Sequence, residues 1–87
     1  MILKGNLISG EFDEEMNEFS LQEVKHLTIE STIKEKQLQM LYQYLIKHQD
    51  DLDGQVIVLN DQIPLRLSQE EIRLFLNDLE MVQSHYH

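Results

Sequence analysis

Ser68-Gln69-Glu70-Glu71 and the run that follows it limit what this chain can become more than any other feature. The serine oxygen can accept from the Glu71 N–H while the Glu71 carboxylate reaches back to the Ser68 N–H, so two donors left open by a helix start are satisfied. Glu70 and Glu71 also suit the positive end of the helix dipole. Ile72, Phe75, Leu76, Leu79, Val82 and Tyr86 then recur at three- and four-residue spacing for about four turns. A helix with one apolar face must bury it, so the rest of the chain has to supply a second layer.

Thr32-Ile33-Lys34-Glu35 reads as another capping box, and Leu38, Leu41, Tyr42 and Leu45 as one face of a helix. That helix ends near Gln49, where Asp50, Asp51, Asp53 and Gly54 form a turn. Met1 to Ser9 reads as a strand with a bulge at Gly5, and Val24 to Ser31 alternates with a period of two. Ser20-Leu21-Gln22-Glu23 also fits a helix start, but a helix there would place Ser31 and Glu35 on the face of Val24 and Leu38. Gln55 to Leu59 and Ile63 to Leu67 read as strands joined by a tight Asn60-Asp61-Gln62 turn, with Pro64 marking a sheet edge or the start of pairing. Glu11 to Glu18, with five acids in eight residues, reads as a solvated loop or a single helical turn. The expected fold class is α+β: a small, mostly antiparallel sheet with two amphipathic helices packed on one face, in the order β-β-α-β-β-α.

Charge and size then exclude whole classes of function. Sixteen acids against seven bases on 87 residues give a net charge of −9, which opposes non-specific nucleic-acid binding. A chain this short forms one small acidic domain and buries only about 60–65% of its unfolded surface, too little to wall a deep pocket. With no cysteine there is no disulfide framework, zinc ribbon or thiol nucleophile. No apolar run reaches the roughly 18 residues of a membrane span, and no secretory or lipidation signal stands out, so a cytoplasmic location is expected.

Candidate chemistry is thin. Asp50-Asp51-Leu52-Asp53-Gly54 resembles a calcium loop, but alignment on Gly54 puts Asn60 where a bidentate glutamate is needed and Ile57 at the ninth position. His85 and His87 lack the further convergent ligands of a metal site, and His48 suits the negative end of its helix. No serine lies in a nucleophile elbow, and the three glycines are too far apart to cradle a phosphate. A single basic residue, Arg73, on the last helix argues against a recognition helix. No enzymatic activity, cofactor or metal is expected.

The helices carry one more feature. Leu74 and Met81 lie nearly opposite the Ile72–Leu79 face, and Ile33, Met40 and Tyr44 form a comparable second stripe on the first helix. A two-layer fold needs one apolar face per helix, so the second stripes are consumed either by the helices packing on each other or by a partner. These residues point to a non-catalytic protein–protein interaction module, of inhibitor, antitoxin-like or adaptor type, that forms a homodimer and binds another protein. Glu14 and Glu15 direct that expectation toward a partner with a basic surface. Two other readings use the same features: an assembly subunit that self-associates through the stripes, and an acidic decoy that mimics nucleic acid with Glu11 to Glu18.

Overall fold

Period-two alternation governs more of the chain than its charge pattern suggests. In the computed structural model, which describes residues 1–59 and 64–87, four consecutive strands form an antiparallel meander. These are β1 (Ile2–Lys4), β2 (Ile8–Asp13), β3 (Glu18–Val24) and β4 (Leu27–Lys34), paired in that order. Helix α1 (Glu35–Lys47) follows, then a separate antiparallel pair of β5 (Gln55–Ile57) and β6 (Leu65–Leu67), and last α2 (Gln69–Gln83). The class is α+β as expected, with the order β-β-β-β-α-β-β-α.

The extra strands come from two segments that the sequence reading places differently. Glu11 to Glu18 is a hairpin rather than a loop, because Phe12 and Phe19 pair across it and both are fully buried. Glu11 and Asp13 alternate outward on the solvated face, so their charges hide the strand signal. The turn is closed by the Asp13 carboxylate, which accepts from the Glu15 and Met16 N–H groups at 3.0 and 3.1 Å. Asn17 takes the left-handed backbone (φ 55°) that asparagine tolerates. Strand β3 occupies residues 18–24, ahead of the expected strand start, and turns through Lys25 and His26 into β4.

Met1 to Ser9 is likewise two strands, with the chain bending between Lys4 and Ile8. The cause lies far away in sequence. Asp78, buried on α2, accepts backbone N–H groups from Asn6, Leu7 and Ile8 at 2.8, 2.6 and 3.1 Å. A side chain at Gly5 would begin 2.3 Å from that carboxylate, so only glycine lets the bend close over Asp78.

Helix α2 starts as its sequence implies. The Ser68 N–H donates to Glu71 at 2.8 Å, and the Glu71 N–H donates to the Ser68 hydroxyl at 3.2 Å. Helix α1 does not start at Thr32, which remains in β4. Its N-cap is Lys34, whose N–H donates to the Gln37 side chain at 2.9 Å. Extending β4 keeps Ile29, Ser31 and Ile33 alternating onto the buried face, which an earlier helix start would break. Gly54 (φ +72°) turns the chain into β5, which ends at Ile57. Pro64 precedes β6, and the expected turn at residues 60–62 lies outside the described residues, as does residue 63.

One apolar core joins these layers. Phe12, Phe19, Leu21 and Val24 from the sheet meet Leu38 and Leu45 of α1 and Ile72, Phe75, Leu79 and Val82 of α2. Leu41 and Tyr42 are half-buried at its margin. Tyr86 closes one end, edge-on to Phe12 at 5.0 Å and donating to the Ile33 carbonyl at 2.6 Å.

Candidate functional site

The two helix stripes have different fates. On α2, Met81 is half-buried against the core and Leu74 is half-buried as well. The helices also bond side by side, Tyr42 to Glu80 at 3.1 Å and Gln83 to Glu35 at 3.0 Å. Met81 is therefore used inside the fold. Ile33 leaves the α1 stripe altogether, because it belongs to β4 and is buried in the core. Met40 and Tyr44 remain, 65% and 42% exposed, one helical turn apart on the same side of α1.

Tyr44 is fixed from behind. Its hydroxyl donates to Gln55 Oε1 at 2.6 Å, and its ring lies 4.6 Å from that of His48. Gln55 Nε2 donates in turn to Asp51 Oδ2 at 2.7 Å, and His48 Nδ1 lies 2.8 Å from the same oxygen. Four residues from α1, the following turn and β5 thus close a ring. The acidic turn expected after α1 ties β5 to the helix beside Tyr44. A His–Asp pair is also the orienting half of a general base. Among the described residues, no serine or threonine hydroxyl is bonded to His48.

Beside this ring, Gln37 and Leu41 of α1, residues 31–33 of β4, and Val58 and Leu59 line an open groove of about 200 Å³. Val58 is half-exposed along it.

Charge along α1 is unlike that of the rest of the chain. No Asp or Glu occurs between Glu35 and Asp50, although the chain averages nearly one acid in every five residues. The exposed side of the helix is Lys36, Gln37, Gln39, Met40, Gln43, Tyr44 and Lys47. Carboxylates lie at its margins instead: Glu35 opens the helix, Glu80 bonds Tyr42, and Asp51 holds Gln55 behind Tyr44. Charge is depleted at the centre of this side, where methionine and tyrosine are exposed. That acid-free stretch is visible in the sequence and would have marked α1 without the stripe pattern.

Glu14 and Glu15 sit elsewhere, exposed on the β2–β3 turn. With Met1, Glu11, Phe12 and Asp13 they line a shallow groove of about 460 Å³. The turn is held by the last residue: Asn17 Nδ2 donates to the His87 carbonyl at 2.8 Å, and the His87 N–H donates to Asn17 Oδ1 at 3.0 Å. His87 Nε2 lies 2.9 Å from the Glu14 carbonyl, and the His85 ring lies 5.8 Å from Phe12. A third groove of about 330 Å³ gathers Lys25, His26, Leu27 and Pro64 to Arg66. Lys25 there is already engaged by Glu71 at 2.9 Å and by the Arg66 carbonyl at 3.1 Å. Among the described residues, no three His, Asp or Glu side chains converge as metal ligands, and no helix is long and apolar enough to cross a membrane.

No family model, curated protein or solved structure matches this chain. Its function therefore has to be read from these surfaces.

Proposed function

We propose that this chain is a non-catalytic protein–protein interaction module whose binding element is the exposed side of α1. One observation carries this reading: Met40 and Tyr44 stand exposed at the centre of a helix face without a single carboxylate, on a chain of net charge −9. The excess of acids elsewhere keeps the protein soluble and deters wrong partners, while their absence from the exposed side of α1 permits close, desolvated contact. An inhibitor, antitoxin-like or adaptor role needs a contact of this kind and no reaction centre. The ring of Tyr44, Gln55, Asp51 and His48 supports the reading, because a tyrosine already held in one rotamer loses little entropy on binding. The acidic β2–β3 turn supplies a second contact of opposite character, suited to basic groups.

Affinity capture from a native lysate with the wild-type chain and with Met40→Asp tests this. A specific protein held by the wild type should be lost with Met40→Asp and kept with Leu27→Asp, which alters an exposed leucine on another face. Identical sets from both variants would remove α1 as the binding element.

A further inference from the structure

The surface of α1 has positive ends and an apolar middle. Lys36 and Lys47 lie eleven residues apart, about 16 Å along the axis, with Met40 and Tyr44 between them. The β2–β3 turn is the inverse of this pattern. Met16 is 63% exposed at its tip, beside Glu14 and Glu15, and the backbone there is already fixed by Asp13, Asn17 and His87. We infer that the occupant of the α1 face is the β2–β3 turn of a second copy of this chain, with Met16 against Met40 and Tyr44 and the two glutamates in the field of Lys36 and Lys47.

Charge selects this arrangement over other self-contacts. Two copies meeting α1 to α1 in antiparallel fashion would set Lys36 against Lys47, and two acidic turns would repel each other. At −9 per copy the overall field opposes random encounter, so association requires a contact where local charges have opposite sign. The turn and the helix face are a complementary pair that meets this condition, whereas the lysine of the Lys25–Arg66 groove is already engaged by Glu71; both surfaces of the pair are preformed, which lowers the ordering cost. Unlike patches meeting in this way give a reciprocal pair if both contacts close on one two-fold axis, and a head-to-tail series if they do not. The inference rests on α1 being a binding face and adds what binds there.

Sedimentation equilibrium of the full chain at low salt, up to about 1 mM protein, tests it at the weak end of specific association. The wild type should exceed monomer mass and dissociate as salt rises. Lys36→Glu with Lys47→Glu should weaken association about tenfold, and Glu14→Lys with Glu15→Lys by a similar factor. All four substitutions together swap the charges, keep the net charge at −9 and should restore association. General repulsion predicts the reverse for the glutamate pair, since their replacement lowers the net charge and would strengthen association. The four side chains are exposed, so each variant should fold, with circular dichroism as the check. A wild type that is monomeric throughout, a glutamate variant that associates more tightly, or a swap that fails to restore association overturns the inference. Loss of lysate capture with Met40→Asp would still stand in those cases, so this failure and failure of the α1 reading are separable.

Discussion

Asp78 ties the beginning of the chain to its last helix. Its carboxylate accepts three successive backbone N–H groups, a role in which the donors are left open if the acid is removed. Asp78→Ala should lower unfolding free energy by about 3 kcal/mol, measured by urea titration, and Asp78→Asn by less because one oxygen remains. Nothing in local spacing announces this. Asn77-Asp78 reads as one more polar step of α2, and its partners are about seventy residues away. Tyr86 was legible as a core position, but its hydroxyl bond to the Ile33 carbonyl was not. Burial, with Glu35 and Glu18 adding, pushes the Tyr86 phenol up to about 12 from the usual 10.0. A pKa raised on folding means stabilisation that is complete below the unfolded value and lost as pH climbs through the folded one. Wild-type stability should therefore fall between about pH 10 and pH 12, while Tyr86→Phe costs about 1 kcal/mol at neutral pH and flattens that alkaline limb.

Elements were legible where their signals are local. The Ser68 cap and the face from Ile72 to Tyr86 lie within one continuous stretch, and α2 forms there. Strand β2 was hidden because its outward residues are acids that imitate a solvated loop, and only the burial of Phe12 against Phe19 gives the period away. The start of α1 moved from Thr32 because a sheet strand claimed Ile33 for the core. The capping box of α2 yields a pH prediction of opposite sign to that of Tyr86. The Ser68 N–H, and next the Lys25 ammonium, hold the Glu71 carboxyl below its usual range against a smaller opposing effect of burial. Stabilisation of this kind is present above the unfolded pKa and fades as pH falls through the folded one. Glu71→Gln should be less stable than wild type at neutral pH and converge with it in acid. Ser68→Ala should cost about 1 kcal/mol by thermal or urea unfolding.

Across the whole molecule, charge is partitioned rather than spread. The acids crowd the β2–β3 turn and the loop after α1, whereas residues 36–49 carry none. Spacing alone pointed to Met40 and Tyr44, but it could not show that β4 takes Ile33 into the core or that Met81 packs against that core. The account of self-association stands on α1 meeting the β2–β3 turn of a second copy, and the methionines report on that contact directly. In methyl-labelled protein followed by NMR from dilute to concentrated solution, the Met40 and Met16 signals should shift together and saturably, while half-buried Met81 stays fixed. A Met40 signal that never moves, or equal movement of Met40 and Met81, would contradict it.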